Sequence, residues 1–107
     1  MAMDGTIEQR VYSLAELKEM LFPVFKDYKI KRAVLFGSYS KGVAKPDSDI
    51  DLLVDSGLKG LKFVGLIEDI KRSLKGKDVD VFDISHVDKG STVDQEISRT
   101  GVEIYAK

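Results

Sequence analysis

A chain of 107 residues with 43% apolar side chains is long enough to build one domain around its own core, and it has no cysteine to staple that core or to bind zinc. Seventeen Lys and Arg against 18 Asp and Glu leave a net charge of −1, so no basic excess exists to drive binding to a nucleic-acid backbone. The longest apolar stretches, Ala33–Phe36 and Leu52–Val54, are far too short to span a bilayer. The N-terminal Met-Ala-Met-Asp-Gly has neither a charged n-region nor an apolar h-region and reads as no signal peptide. With the missing cysteine, this fits a cytoplasmic address, no membrane partner and a single domain over residues 1–107.

Ser13-Leu14-Ala15-Glu16 has the form of a capping box, in which the serine hydroxyl and the glutamate satisfy the first free N–H groups of a helix. Leu14, Leu17, Leu21, Phe25 and Tyr28 then recur at helical spacing. Pro23 removes one helical hydrogen bond within that run, which predicts a kink or a short restart. Ile30 to Phe36, rich in β-branched and aromatic residues and stopped by Gly37, predicts a strand. Asp49 to Asp55 predicts a second, with Ile50, Leu52 and Val54 on one face. Phe63, Ile67, Ile70 and Leu74 mark a helix stopped near Gly76. Val79 to Ile84 predicts a third strand, and Val93 with Ile97 a last short helix ending near Gly101, before the apolar Val102-Glu103-Ile104-Tyr105. A helical crossover of about 20 residues suits parallel pairing of the second and third strands. The connection of about a dozen residues between the first two makes antiparallel pairing easier. The expected fold class is α/β (α+β): a small mixed β-sheet with helices packed on it.

The chemistry lies between Val34 and Val54. Asp49 and Asp51 are two apart on a strand and so point to one face. Like charges that close repel by about 4 kcal/mol at 4 Å and an effective dielectric of 20. Open solvent or a bound cation must offset this, and hard carboxylate oxygens suit Mg²⁺, which completes its shell with water and phosphate. The letters exclude three other uses. An EF-hand beginning at Asp47 would need a glycine at Leu52 and a glutamate at Leu58. A P-loop would need Lys-Ser or Lys-Thr where Val43-Ala44 follows Gly42. A phosphatase-type Asp-x-Asp ends an apolar strand, whereas polar Lys45-Pro46-Asp47-Ser48 precedes this pair. Upstream, Gly37 lets backbone approach a ligand closely, Ser38 offers a hydroxyl, and the N–H groups of a following helical turn can hold an anion. A phosphate cradle and a cation site are thereby set side by side.

Gly37-Ser38, ten intervening residues and Asp49-Ile50-Asp51, with Leu35-Phe36, Gly42, Ala44, Ser48 and Leu52-Leu53-Val54 around them, resemble the signature of the minimal nucleotidyltransferases of the DNA polymerase beta-like superfamily. The resemblance covers nearly the whole chain, and implies the polymerase beta-like nucleotidyltransferase fold. It also implies that Gly37 and Ser38, with Lys41, bind the nucleotide phosphates, and that paired aspartates Asp49 and Asp51 bind two Mg²⁺ ions. A third carboxylate on a later strand completes such sites. Asp80, between Val79 and Val81, fits the family's Val-Asp-Leu-Val pattern best; Asp78 lies on the same alternating face and is the reserve, while Asp83 points the other way. Asp49, Asp51 and Asp80 are therefore the expected metal ligands and catalytic residues. Lys41 stands where the family often has arginine. It keeps the charge without the bidentate fork, and either contacts the triphosphate more weakly or stays solvated.

Minimal members of the family commonly partner a helical HEPN-type RNase toxin and silence it, as antitoxins, by attaching AMP. The resemblance thus implies protein adenylylation with ATP as donor and no direct nucleic-acid partner. Two rival readings are neutralisation of the partner by contact alone and nucleotidyl transfer to a small molecule. Clustered carboxylates have no use in a pure binder, and small-molecule enzymes of this type usually carry an added substrate domain. His86, the sole histidine, sits in a polar turn without a local partner for base or ligand work.

Overall fold

The computed structural model describes residues 11–107. The Met-Ala-Met-Asp-Gly segment read above for a signal peptide lies outside the described residues. Helix α1 (Leu14–Asp27) begins at the expected capping box: Glu16 N–H donates to Ser13 Oγ at 3.1 Å and Ser13 N–H donates to Glu16 Oε1 at 2.8 Å. The helix runs unbroken across Pro23, so the restart expected there does not occur. Pro23 faces solvent, where water can satisfy the carbonyl it leaves unpaired.

Strand β1 (Arg32–Phe36) leads through Gly37 into a single turn of helix, α2 (Ser38–Lys41). Strand β2 (Ile50–Asp55), helix α3 (Leu61–Ser73) and strand β3 (Val79–Asp83) follow. A 3₁₀ turn (Ile84–His86) then connects to helix α4 (Thr92–Thr100) and strand β4 (Val102–Ala106). The four strands form one mixed sheet in the order β3-β2-β1-β4. β1 pairs antiparallel with β2 and β2 parallel with β3, as the connection lengths predicted, and β1 also pairs antiparallel with β4. β4 is an addition: Val102–Tyr105 carried no strand assignment in the sequence reading, yet it closes the outer edge of β1.

Strand alternation gives the sheet two unequal faces. One carries Ala33, Leu35, Ile50, Leu52, Val54 and Val79 against α1 and α3, whose Leu17, Leu21, Phe25, Leu66, Ile70 and Leu74 are fully buried. In α3 the inward stripe runs through Leu66 rather than the expected Ile67, which is only half-buried. The opposite face carries Val34, Phe36, Leu53 and Phe82, over which Val87 and the α4 residues Val93 and Ile97 are packed. No residue of α4 is fully buried, so this second layer is thin. The edge of that thin layer holds the acids.

Candidate active site

The register places Phe36, Asp51 and Asp80 in one row across β1, β2 and β3. Register partners point to the same face, so Asp51 and Asp80 are neighbours on the α4 side, about 4.8 Å apart from strand to strand. Asp49 lies one alternation before Asp51, exposed and just ahead of β2 rather than inside it. Asp51 is half-buried and Asp80 exposed. Burial, then the charges of Asp80, Asp49 and Glu96, push the Asp51 carboxyl up to about 6. An acid raised in this way by neighbouring acids is one a cation would relieve.

Gly37 packs directly against Asp51. Its φ of 76° and ψ of −150° lie where side chains are essentially excluded, and a Cβ there would run into Asp51 Oδ2. That close approach is available only to glycine. Ser40 Oγ donates to the Gly37 carbonyl at 2.9 Å and Val43 N–H to the Ser38 carbonyl at 3.1 Å, fixing the turn that presents Ser38 beside the acids. Lys41, at the end of α2, is paired with Glu96 of α4, Nζ to Oε2, at 3.3 Å. The structure therefore brings Gly37, Ser38, Asp49, Asp51 and Asp80 to one end of one sheet face, and ties Lys41 to a fourth acid there.

Asp78 is exposed before β3, where its carbonyl accepts the Ile50 N–H at 3.0 Å. Asp83 is on the other side of the sheet, 3% exposed. Burial alone would raise its carboxyl, but hydrogen bonds donated by the hydroxyls and backbone N–H groups of Ser56 and Ser85 outweigh that and hold it below the usual carboxylate range. It ties the ends of β2 and β3 together and lies away from the acid row. His86 is exposed, its ring edge-on to Phe63 at 6.5 Å between centroids.

Two residues of this region escape a reading of the sequence. Glu96 shows only as the polar neighbour of Ile97, and nothing local tells that it reaches Lys41. Lys77 is 7% exposed; its Nζ donates to the Pro46 carbonyl at 2.8 Å and lies 5.9 Å over the Tyr39 ring, whose buried hydroxyl has no hydrogen-bond partner among the described residues. It thereby tethers the loop leading to Asp49 to the start of β3 and to α2. Alternation on β3 gave no sign of it.

The donor set fits Mg²⁺. Asp49, Asp51 and Asp80 offer hard oxygens, and Asp51 carries the excess negative potential described above. No group of three His, Cys, Asp or Glu forms a ready-made cage among the described residues. A cation that keeps several waters and shares its shell with substrate phosphate does not need one. No helix among the described residues is long and apolar enough to cross a membrane.

A family model described as "Polymerase beta, Nucleotidyltransferase" matches residues 19–107. The chain is 38% identical over 72 residues to a Methanocaldococcus jannaschii protein named "Putative protein adenylyltransferase", the match covering 64% of this chain and 75% of that one. A second protein of that name and organism is 42% identical over 50 residues, or 43% of this chain and 58% of its own length. Among solved structures, a toxin–antitoxin complex with AMP-PNP superposes with a TM-score of 0.68 at 27% identity, over 84% of this chain and 73% of the matched one. The toxin–antitoxin MntA-HepT gives a TM-score of 0.61 at 23% identity over 85% and 71%, a likeness of fold.

Proposed function

This chain belongs to the polymerase beta nucleotidyltransferase family and is a nucleotidyltransferase, and on that premise we propose that it moves AMP from ATP to a hydroxyl of a protein partner, in the cytoplasm, as the antitoxin of a toxin–antitoxin pair. The partner is a HEPN-type toxin. The observation that carries the reading is the placement of Asp51, packed against Gly37 on one side and Asp80 on the other, with its carboxyl raised to about 6. Such a group is poised for a cation at the mouth of a phosphate-sized turn. The similarity to chains named as protein adenylyltransferases and to a toxin–antitoxin complex holding an ATP analogue supports the choice of donor and partner.

Asp49, Asp51 and Asp80 would hold two Mg²⁺ ions. When bound, Mg²⁺ polarises phosphoryl oxygens and lowers the pKa of a coordinated hydroxyl. Gly37 admits the phosphates to the backbone, Ser38 donates its hydroxyl to them, and Lys41 offsets their charge. The acceptor oxygen attacks the α-phosphorus in line; a P–O bond forms as the bond to the β-phosphate breaks, and pyrophosphate leaves. A carboxylate oxygen of Asp80 takes the acceptor's proton. Holding acceptor and phosphorus in this alignment lowers the barrier by removing the entropic cost of bringing them together.

The test is intact-mass spectrometry of a HEPN-type protein co-purified with this chain or encoded beside it, incubated with the protein, Mg²⁺ and ATP. A gain of one or more AMP units, abolished by Asp49→Asn/Asp51→Asn in a protein that still folds, is the expected result. An unchanged mass together with metal-independent silencing of the toxin would replace this reading with neutralisation by contact. Modification of a small molecule but not of the partner would replace it with the other rival.

A further inference from the structure

Glu96 belongs to no part of the motif, and the transfer described above makes no use of it. It lies on α4 next to Ile97, which packs onto the sheet, and its carboxylate turns to Lys41 Nζ at 3.3 Å. The pair joins positions 55 residues apart, bridging the helix that caps the acid-bearing face to the turn that follows Gly37. Lys41 is the only cationic residue between Gly37 and Gly42, so the one positive side chain of the cradle is committed to a protein carboxylate. Glu96 is close enough to Asp51 for its negative charge to be felt there as well. An incoming triphosphate has to compete with Glu96 for Lys41.

We propose that Glu96 is a positioning residue that holds Lys41 against α4 and sets nucleotide affinity by the ease with which it gives Lys41 up to a triphosphate. The inference rests on the reading of Gly37, Ser38 and Lys41 as the phosphate-binding segment. Both partners are substantially exposed, 43% for the Lys41 side chain and 32% for that of Glu96, so the pair is breakable on ligand binding. A pair of that exposure changes an affinity by about two- to fivefold. The effect is modest, and its signature is that it passes through Lys41.

The test is a double-mutant cycle on the full chain, titrating fluorescent ATP in Mg²⁺ at constant ionic strength, with folding of each variant followed by thermal denaturation. Glu96→Gln tightens binding by about two- to fivefold, Glu96→Asp falls between it and the parent, and Lys41→Met weakens binding. On the Lys41→Met background Glu96→Gln has no further effect. An equal gain from Glu96→Gln on both backgrounds would show repulsion through space and overturn the proposal, as would no gain at all. Lys41→Met with unchanged affinity would also overturn it, while leaving nucleotide transfer standing. Failure of the parent protein to bind the nucleotide would remove both.

Discussion

Replacing Gly37 with alanine strikes the site at its tightest contact. The backbone there (φ 76°, ψ −150°) lies in a region reserved almost entirely for glycine, and a side chain adds about 1–3 kcal/mol of strain. The new Cβ would also overlap Asp51 Oδ2 and come within 3.3 Å of Asp51 Cγ, so the carboxylate must swing aside. Driving it off its rotamer costs about 0.5–1.5 kcal/mol more. The sum, about 1.5–4.5 kcal/mol, lowers the melting temperature of a domain this size by about 7–20 °C. Gly42→Ala is the control: Gly42 also has positive φ, at 75°, but nothing lies within 4 Å of its added Cβ. That variant carries only the left-handed penalty of about 1 kcal/mol. Urea unfolding of both proteins measures the difference. AMP transfer by the folded fraction at low temperature measures what displacement of Asp51 does to the chemistry, about 100-fold for a misplacement near 1 Å. Equal destabilisation by the two substitutions, or normal transfer by Gly37→Ala, would refute the reasoning.

Four further outcomes are expected. Burial and the charges of Asp80, Asp49 and Glu96 raise Asp51 to about 6 in the folded protein, so between about pH 4 and pH 6 the folded state binds more protons than the unfolded one. Metal-free stability then falls as pH rises through that window, and Asp51→Asn melts higher than the parent at pH 8 in EDTA, by about 1 kcal/mol after solvent screening; a flat profile would contradict this. Mg²⁺ affinity runs the opposite way, weakening as pH falls below about 6 because a proton competes for the carboxylate. Asp83 has the reverse sign: its folded pKa is depressed, so its contribution is complete above the unfolded value and is lost as pH falls through the folded one. Asp83→Asn loses about 2–3 kcal/mol in denaturant titration yet transfers AMP when folded, whereas Asp80→Asn keeps stability and loses transfer; the opposite pattern would exchange their roles. Lys77→Met removes the bond to the Pro46 carbonyl and lowers stability by about 1–2 kcal/mol. A more stable Lys77→Met would show that the buried charge costs more than its tether returns.

Local chemistry made much of this molecule readable. The capping box at Ser13, the alternation that separates Asp80 from Asp83, and the connection lengths that decide parallel from antiparallel pairing are all written in neighbouring residues. β4 was not, because a five-residue strand whose partner lies about 70 positions earlier has no local turn to announce it. In α3, Leu61, Phe63, Val64, Leu66, Ile67 and Ile70 offer overlapping helical stripes, and only packing against α1 and the sheet selects the one through Leu66. Asp49, Asp51 and Gly37 could be found because the motif is contiguous across one β-turn-β unit. Glu96 and Lys77 could not: each acts through a contact with an element far away in the chain, and neither stands out by residue type in its own segment.

The unequal coverage of the sheet carries a consequence for motion. α1 and α3 each bury residues completely and would exchange their amide hydrogens only by global unfolding, whereas α4, with no fully buried side chain, rests on a small cluster around Val34, Phe36 and Leu53. α4 is therefore the segment that detaches first, in a sub-global opening that leaves the rest of the domain intact. Deuterium would enter Thr92–Thr100 well before the interior of α1. The acid-bearing face of the sheet is thus covered by the least firmly held helix. Warming would lift α4 from the sheet and release Lys41 from Glu96 before the strands that carry the acids come apart.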